Sequence, residues 1–337
     1  MNAMLYESLE NLTVKCRLCN HHCIIKNETR GICGVRENQS GVLKSLVYGR
    51  LIARHIDPIE KKPLFHFLPG SASYSIATVG CNFKCDFCQN ADISQMPSNR
   101  KGMISGDSVT PDEVVEAAIK AKCKSISYTY TEPTVYFEFA YDTAKRAYEK
   151  GLKNVFVTNG YMTREALDTI HPYLNAANVD LKAFTDIFYK KRCRAKLEPV
   201  KENLRYMKSL GIFIEVTTLV IPGLNDDEEE LKKMADFLVR SVGPETPWHI
   251  SRFHPTYRLL DRGATSVESL LSARKIGIAA GLKYVYTGNI PGIDGEKTFC
   301  NRCGKMLIDR WGFYIRQYNI RNSRCPDCGE GIEGIGL

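Results

Sequence analysis

The chain has 337 residues, of which 44% are hydrophobic and 25% charged, which is ordinary for a globular protein with one large domain and smaller attachments. No run of about 18 apolar residues predicts a transmembrane helix, and the acidic beginning MNAMLYESLE lacks the apolar core of a secretory signal. The sequence therefore predicts a cytoplasmic protein without membrane contact.

The cysteine count is the unusual feature of the composition. Thirteen cysteines are present, an odd number that is largely grouped at gaps of two or three residues. This grouping argues against a disulfide framework and favours metal ligation in a reducing compartment. The formal net charge of +8 counts every cysteine as neutral. Because thiolates at two zinc sites and one iron–sulfur cluster would lower it to roughly +3, the basic excess is weak evidence for nucleic-acid binding.

The cysteines also divide the chain into three parts. Four lie in the first forty residues, five in the middle and four in the last forty. The outer groups predict small metal-binding modules at residues 1–70 and 292–337. The middle part, residues 71–291, is predicted to form one α/β domain.

The N-terminal module carries its cysteines in the segment CRLCNHHCIIKNETRGICGVREN. Four cysteines within eighteen residues predict one metal site, holding either zinc or an auxiliary iron–sulfur cluster. His21 or His22 could replace one thiolate, although four thiolates suffice without them. The predicted ligands are Cys16, Cys19, Cys23 and Cys33.

The middle domain alternates strands and helices at roughly thirty-residue intervals. Strands are predicted at 74–79, 125–131, 154–158, 178–181, 213–219, 248–253 and 284–287, and helices at 111–122, 134–150, 226–242 and 266–281. The clearest helix start has Thr110 as N-cap and Glu113 at the capping-box position, and Gly151 is a plausible left-handed cap. This alternation implies parallel pairing and a partial or full (β/α) barrel, with the reactive site at the carboxyl ends of the strands. A doubly wound open sheet is the competing architecture.

The first predicted strand of this domain leads into TVGCNFKCDFCQN, in which Cys81, Cys85 and Cys88 form the pattern CxxxCxxC. Short gaps on a loop let three thiolates converge on one cluster and leave one iron open to another ligand. A zinc knuckle without its fourth ligand is the alternative, but a structural zinc site requires four ligands and this loop has no histidine.

This motif resembles that of the radical S-adenosylmethionine superfamily, in which an aromatic residue such as Phe87 usually precedes the third cysteine. The stretch SYTYTEPT resembles the Gly-Gly-Glu motif of the superfamily. Tyr130 and Thr131 replace the two glycines, and Glu132 keeps the acid that the resemblance assigns to the methionine amino group.

Further positions match the superfamily one by one. The resemblance implies that Asn159 of the TNG segment, the pair Asp180 and Lys182 in VDLK, and His254 in RFHPTY bind S-adenosylmethionine. The segment EVTTLVIPGLND resembles the strand beside the adenine, and further cofactor contacts are therefore predicted at Thr217 and Val220.

The resemblance implies a specific chemistry. A [4Fe-4S] cluster would bind S-adenosylmethionine, receive one electron from a cellular donor and generate a 5′-deoxyadenosyl radical that abstracts hydrogen from a substrate. The N-terminal pattern and the segment DPIEKKPLFHFLPGS further resemble the AmmeMemoRadiSam-system proteins, which are related to pyruvate formate-lyase activating enzymes. That resemblance implies Memo-type and AMMECR-type proteins as partners.

One further cysteine, Cys193, lies in YKKRCRAKLEPV among basic residues. Nearby cations favour a thiolate, so Cys193 is a candidate catalytic thiol or hydrogen donor. The alternative is an incidental cysteine in a basic surface loop.

The C-terminal module holds two knuckles, CNRCG and CPDCG, on either side of two strand-like halves that meet near Trp311 and Gly312. This spacing predicts a zinc ribbon or a rubredoxin-like site, with zinc favoured over iron. The aromatic residues between the knuckles are expected to form the small core of the ribbon, although they could instead form a nucleic-acid surface. The predicted ligands are Cys300, Cys303, Cys325 and Cys328.

Three functions remain open from the sequence. The leading one is hydrogen abstraction from an unidentified substrate. The second is activation of a glycyl-radical enzyme, in which the substrate is a partner protein. The third, of another class, is RNA binding or modification through the C-terminal ribbon.

Overall fold

A computed structural model describes residues 1–290 and 294–337. Its centre is one eight-stranded sheet in the order β8-β7-β6-β5-β4-β3-β2-β1. Strand β1 is antiparallel to β2, and all the other pairs are parallel. The strands are β1 (Ala53–Pro58), β2 (Ala72–Ala77), β3 (Ser125–Tyr128), β4 (Lys153–Thr158), β5 (Ala176–Asp180), β6 (Phe213–Val220), β7 (Trp248–Arg252) and β8 (Val285–Gly288).

Six longer helices connect the parallel strands. They are α1 (Pro111–Lys120), α2 (Phe137–Glu149), α3 (Arg164–Ile170), α4 (Glu198–Ser209), α5 (Glu228–Ser241) and α6 (Val267–Ala280). Short helical turns lie at Ile59–Lys61, Ala91–Ser94, Met96–Asn99, Pro133–Tyr136, Asp186–Phe188, Tyr189–Cys193 and Asp294–Glu296. None of the helices in the described ranges combines the length and apolarity that crossing a bilayer requires.

The strand order distinguishes between the two predicted architectures. A doubly wound sheet reverses its order at a switch point, whereas β2 to β8 follow one another in a single direction. This is the winding of a (β/α) barrel, and among the described residues no ladder joins β1 to β8. The sheet is therefore mostly parallel and open.

Several predicted element boundaries are confirmed and others shift. Thr110 Oγ1 accepts the Glu113 N–H at 3.2 Å and Glu113 returns a hydrogen bond to the Thr110 N–H, which confirms the capping box. Gly151 adopts the predicted left-handed conformation, with φ +77°. Strand β3 ends at Tyr128, three residues before the prediction, because the chain turns at Tyr130, whose φ is +61°.

Short antiparallel pieces flank the sheet. In the N-terminal module, Tyr6–Ser8, Val14–Cys16 and Ile24–Ile25 form one small sheet, Arg36–Gln39 pairs with Val42–Ser45, and Arg50–Leu51 pairs with Asp107–Ser108. The C-terminal ribbon, residues 294–337, is built on β9 (Thr298–Phe299), β10 (Met306–Trp311) and β11 (Tyr314–Tyr318). Gly312, with φ +58°, makes the predicted turn between β10 and β11.

The two faces of the central sheet are covered differently. On one face, Trp248 packs so closely on helix α6 that a Cβ at Gly277 would lie 2.9 Å from its ring. On the other face, the segment between β1 and β2 fills the sheet's concavity. The Asn178 side-chain amide donates to the Pro63 carbonyl, and the His66 N–H donates to Glu215 Oε1, both at 2.7 Å. A polar inner face is thus satisfied by a segment from outside the parallel strands.

His66 fastens this inner segment to the C-terminal end of the chain. Its Nδ1 lies 2.7 Å from the Glu333 carbonyl oxygen and its Nε2 lies 2.6 Å from the Tyr286 hydroxyl. Burial lowers the pKa of His66 to about 4. The neutral ring therefore donates through Nδ1–H to Glu333 and accepts the Tyr286 hydroxyl at Nε2.

Acid should destabilise the fold through this histidine. Between pH 6.5 and about 4 the unfolded chain binds a proton that folded His66 does not, so the free energy of unfolding falls by about 1.4 kcal/mol per pH unit. Urea unfolding at pH 7 and pH 5 should show a loss roughly 2 kcal/mol larger for the parent than for His66→Gln. The control is the surface variant His171→Gln, which should follow the parent. Equal losses in parent and His66→Gln would contradict the assignment.

Candidate active site

The cysteine loop, residues 80–90, leaves β2 and presents three thiols. Cys85 is buried and the other two are partly buried. The Phe83 N–H donates to Cys81 Sγ at 3.4 Å, and the Ser94 hydroxyl lies 3.2 Å from Cys88 Sγ. Burial, followed by Glu132 and the neighbouring thiols, raises the pKa of Cys81 well above its ordinary value.

The spacing of these three thiols fits a cluster better than a single ion. The sulfur atoms of the C-terminal cysteines all lie within 4.8 Å of one another, whereas the three sulfur atoms of this loop do not. In a [4Fe-4S] cluster each thiolate binds a different iron, so the ligands stand farther apart than around one ion. Three ligands and their N–H and O–H donors therefore fit a [4Fe-4S] cluster with one iron free of protein ligands.

Glycine at position 80 is required where this loop begins. Gly80 has φ +99°, and a Cβ there would lie 2.5 Å from Val35 Cγ1 and 3.2 Å from the Cys33 carbonyl oxygen. No side chain fits this gap, so the N-terminal module packs directly on the backbone of the loop.

The loop is held from its other side by the turn that contains Cys193. The Lys84 N–H donates to the Cys193 carbonyl at 2.9 Å, and the Asp86 N–H donates to the Arg192 carbonyl at 3.2 Å. This pairing brings the fully buried Cys193 close to Cys85, and Cys193 together with burial raises the pKa of the Cys85 thiol. Cys193 therefore lies inside the site against a cluster cysteine rather than on a surface loop.

Glu132 is buried at the carboxyl ends of β3 and β4. Its Oε1 accepts the Thr158 hydroxyl at 2.7 Å and the Thr134 hydroxyl at 2.5 Å, and its Oε2 accepts the Asn159 N–H at 2.8 Å. Burial raises the pKa of this carboxyl despite these donors. Asn159 in turn donates through its side-chain amide to Asn82 Oδ1 at 2.7 Å, which ties the end of β4 to the cysteine loop.

Asp180 and Lys182 form an ion pair at the end of β5. Lys182 Nζ lies 3.0 Å from Asp180 Oδ2 and 5.9 Å from the centroid of the Phe87 ring. Burial alone would lower the pKa of Lys182, but Asp180 and the thiols of Cys85 and Cys193 outweigh it and raise the pKa. The predicted residues Phe87, Asp180 and Lys182 thus lie together beside the cysteine loop.

Tyr130, which stands at a predicted glycine position, takes a glycine-like conformation. Its φ of +61° costs a non-glycine residue roughly 1–2 kcal/mol. The Tyr130 hydroxyl donates to Asp57, and Lys62 Nζ lies 4.5 Å from the centroid of its ring. These contacts offset the backbone cost. The neighbouring Thr131 hydroxyl donates to the Thr78 carbonyl at 2.8 Å, at the entry to the cysteine loop.

The remaining predicted cofactor residues are more dispersed. Thr217 points to the inner face of the sheet, where its hydroxyl donates to Asn178 Oδ1 at 2.9 Å. Val220 is fully buried at the end of β6. His254 is exposed and lines a large cavity.

Sequence reasoning missed the charged residues between β1 and β2. Lys62 is buried and pairs with Asp57 at 2.6 Å, and burial lowers the pKa of Lys62 to about 8. The available signal was a pair of lysines directly before the apolar run PLFHF, since a lysine leading into a buried segment requires an internal partner.

The ribbon cavity, of about 570 Å³, lies where β7 and β8 end and the C-terminal ribbon begins. Gln89, the residue after Cys88, contributes to its wall, so the cavity reaches the cysteine loop. The wall of the cavity also includes Glu60, His249, His254, Thr287, Glu296, Arg310, Trp311 and Phe313.

The aromatic residues of the ribbon do not form its core, contrary to the sequence expectation. Its buried hydrophobic residues are aliphatic or cysteine, whereas the four aromatic residues Trp311, Phe313, Tyr314 and Tyr318 are exposed. A three-stranded ribbon has too little interior for four aromatic rings. Trp311 and Phe313 instead border the cavity, and Arg316 stacks on Trp311 at 4.4 Å.

The C-terminal cysteines form a compact four-sulfur group. Their four sulfur atoms all lie within 4.8 Å of one another, with Cys300 and Cys328 at 3.6 Å and Cys303 and Cys325 at 3.7 Å. Gly304 gives the first knuckle its positive φ of +76°. This arrangement can hold one metal ion, whose identity the ligands leave open between zinc and iron.

The four N-terminal cysteines are arranged differently. Their sulfur atoms do not all lie within 4.8 Å of one another, as those of the C-terminal group do. They line a small cavity instead; the residues are Cys16, Cys19, Cys23 and Cys33. They do not form the compact four-sulfur group seen in the C-terminal ribbon. All thirteen cysteines are free thiols, in agreement with the expectation against a disulfide framework.

This chain resembles known proteins in both sequence and fold. The profile of the family described as Radical SAM superfamily matches residues 75–238. An uncharacterized protein of Methanocaldococcus jannaschii, MJ0808, is 49% identical over 333 residues, which is 98% of each chain. The pyruvate formate-lyase-activating enzyme of Clostridium pasteurianum is 22% identical over 48% of this chain and 68% of that protein. A radical SAM methyltransferase structure from Sphaerobacter thermophilus aligns at a TM-score of 0.50, with 17% identity, over 69% of this chain and 70% of that one, and so shares the fold.

Removing one C-terminal ligand should release one metal ion without touching the cysteine loop. Elemental analysis of Cys300→Ala should find one fewer zinc or iron per chain than the parent, because three thiolates hold a structural ion far more weakly than four. Cys123→Ala, which removes a buried cysteine outside all three groups, should retain the full metal content. Unchanged metal content in Cys300→Ala would contradict the site.

Proposed function

Because this chain belongs to the radical SAM superfamily and is a radical SAM enzyme, we propose that it abstracts hydrogen from a small polar molecule bound in the ribbon cavity. The observation that carries this proposal is the continuity of the two sites. Cys88 belongs to the cysteine loop and the next residue, Gln89, lines the cavity. A radical formed at the loop would therefore have a substrate site beside it.

A [4Fe-4S] cluster held by Cys81, Cys85 and Cys88 supplies the electron that splits S-adenosylmethionine into methionine and a 5′-deoxyadenosyl radical. The protein positions the cofactor. We propose that Glu132 binds its ammonium group, since a buried carboxylate favours a cationic partner. Lys182, held by Asp180, supplies the cation for its carboxylate.

Other predicted residues would complete the cofactor site. Phe87 offers a backbone edge and a ring beside the adenine, and Asn159 fixes the loop through Asn82. His254 borders the cavity and lies on the side where substrate and cofactor would meet. Four more predicted residues would support these positions from the strand ends. Thr131 does so through Thr78 and Thr217 through Asn178, and the other two are Tyr130 and Val220.

The size of the ribbon cavity supports a small substrate. Its volume of about 570 Å³ lies within the range of sites that enclose metabolite-sized or drug-sized ligands. Its walls come from the inner segment, two strand ends and the ribbon, so it is bounded on several sides.

The polar groups of the cavity favour a substrate with a cationic or hydrogen-donating group. Glu60 is buried, and its Oε1 accepts the Gly70 N–H at 2.7 Å while its Oε2 has no partner among the described residues. Arg310 is also buried, but its terminal nitrogens already donate to the Thr298 hydroxyl and the Phe65 carbonyl, both at 2.7 Å. Two donors are unused as well, since Arg310 Nε and the Thr287 hydroxyl have no partner among the described residues, and Arg310 Nε lies 3.9 Å from Glu60 Oε1. We propose that the unpartnered Oε2 of Glu60 is the contact for a donor group of the substrate.

The core activity has a direct test. After anaerobic reconstitution and reduction, the parent should convert S-adenosylmethionine into methionine and 5′-deoxyadenosine, and Cys81→Ala should lose this conversion because the cluster loses one of its three ligands. Chromatographic quantification of 5′-deoxyadenosine measures the effect, with Cys123→Ala as the matched control. Equal product from Cys81→Ala and the parent would refute the proposal.

The substrate class has a separate test by calorimetry on the reconstituted enzyme. The probe 2-phenylethylamine should bind, whereas 3-phenylpropionate, of similar size and opposite charge, should not. Glu60→Gln keeps the acceptor for Gly70 and should weaken amine binding roughly 10- to 100-fold, the value of a hydrogen bond to a charged group.

The matched control for this experiment is the exposed variant Glu116→Gln, which should bind the amine like the parent. Tighter binding of the carboxylate than of the amine would overturn the substrate class while leaving the cleavage test unaffected.

Activation of a glycyl-radical enzyme is the second candidate, because relatives of this chain include activating enzymes. It would produce a glycyl radical signal on a second protein, observable by electron paramagnetic resonance, and one 5′-deoxyadenosine per activated partner. Turnover on a soluble amine without such a partner would favour the small-molecule reaction.

We propose zinc at the C-terminal ribbon and Memo-type and AMMECR-type proteins as functional partners, the latter on sequence resemblance. The exposed aromatic residues of the ribbon are compatible with RNA binding, which would appear as an affinity that falls steeply with salt.

A further inference from the structure

The four N-terminal cysteines surround a cavity that the radical reaction does not use. Their sulfur atoms stand too far apart for one ion, as do those of the cysteine loop. The remaining wall includes the apolar residues Leu18 and Ile25, so the space between the thiols is mostly nonpolar. The residues that matter most are Cys16, Cys19, Cys23, Cys33, His21, Arg36 and Asn82. A group larger than a single metal ion fits this arrangement.

Donor groups also face the four thiols. The Arg36 guanidinium donates to Cys16 Sγ at 3.1 Å. Burial raises the pKa of Cys19, Cys23 and Cys33, and the backbone N–H groups of residues 21, 32 and 35 act against that increase. The cysteine loop shows the same pattern, and N–H donors to thiolates are typical of iron–sulfur ligation, where they stabilise the charge.

Arg36 provides charge compensation at this site. Its side chain is about 1% exposed and pairs with the buried carboxylate of Glu138, which also accepts the Met4 N–H. A [4Fe-4S]²⁺ core with four thiolates carries two negative charges, so a buried guanidinium against one thiolate offsets part of the cost of burying that charge.

The site lies next to the cysteine loop on one side and reaches solvent on the other. His21 Nε2 lies 2.8 Å from the Asn82 carbonyl oxygen, and Asn82 follows Cys81 directly. On the outer side Ile24 and Ile32, the neighbours of Cys23 and Cys33, are 69% and 45% exposed. The four N-terminal cysteines thus lie between the protein surface and the cysteine loop.

We infer that Cys16, Cys19, Cys23 and Cys33 bind an auxiliary [4Fe-4S] cluster through which electrons enter the enzyme. The cluster would accept one electron at a time from a low-potential donor, such as a reduced flavodoxin-type protein, and pass each electron on to a cluster held at Cys81, returning to its oxidised form. The His21–Asn82 contact would connect the two groups of ligands.

Acid-labile sulfide tests the cluster independently of catalysis, because neither zinc nor a rubredoxin-type iron at the ribbon contains sulfide. The reconstituted parent and Cys123→Ala should contain about eight sulfides and eight cluster irons per chain, the content of two clusters. The triple variant Cys81→Ala/Cys85→Ala/Cys88→Ala should retain about four of each. Loss of all sulfide from this triple variant would overturn the inference, as would zinc in place of iron at the N-terminal cysteines.

The complementary variant Cys19→Ser/Cys23→Ser should keep about four sulfides, those of the cysteine loop. If this variant misfolds and loses all sulfide, the triple variant still decides the question. Electron entry is then tested by stopped-flow reduction with reduced flavodoxin. The rapid phase seen for the parent should be lost in Cys19→Ser/Cys23→Ser, and a rate equal to that of the parent would overturn the electron-entry role.

Discussion

The burial of charge on the inner side of the sheet is the constraint on which much of this structure depends. Glu215 lies fully buried on β6, and it is held by His249 at 2.6 Å and by the His66 N–H. The second of these partners comes from the segment between β1 and β2. A buried carboxylate is costly unless its oxygens have donors, and here one donor comes from the neighbouring strand and the other from outside the parallel strands. The same segment supplies Glu60 to the ribbon cavity. One stretch of chain therefore forms hydrogen bonds with the buried polar groups of the sheet and also shapes the cavity.

The cysteine loop is positioned by two close approaches from opposite sides. The N-terminal module packs on its backbone at Gly80, and the turn at Cys193 pairs with it through main-chain hydrogen bonds. Loops with backbone partners on both sides have fewer accessible conformations, which suits three thiols that must hold one cluster. The residues proposed to bind the cofactor lie close to one another because β3, β4 and β5, which they follow, all end at the same edge of the sheet.

The sequence predicted features that depend on local spacing and failed on those that depend on contacts between distant residues. The capping box at Thr110 and the paired knuckles of the four-cysteine ribbon each depend on short spacings. The CxxxCxxC pattern is equally local, and its assignment to a cluster stays a prediction. Glu60 and Arg310 are 250 positions apart in the chain, and no periodicity links them to one cavity. The left-handed conformation of Tyr130 was equally invisible, since only its contacts with Asp57 and Lys62 make a tyrosine acceptable there. Strand β1, with its run of exposed residues, lacks the apolar alternation from which strands are predicted.

The ribbon forms one wall of the cavity, and this has a consequence for the cell. Arg310 and Trp311 belong to strand β10, whose position depends on a small domain with few buried residues of its own. A small domain with four clustered cysteines gains much of its order from a metal, so metal occupancy at the ribbon and affinity for the proposed substrate in the cavity would be thermodynamically linked. Metal starvation would then weaken substrate binding while the cysteine loop, built on the large sheet, stays intact. The supply of a structural metal would thus control the reaction proposed for this cavity.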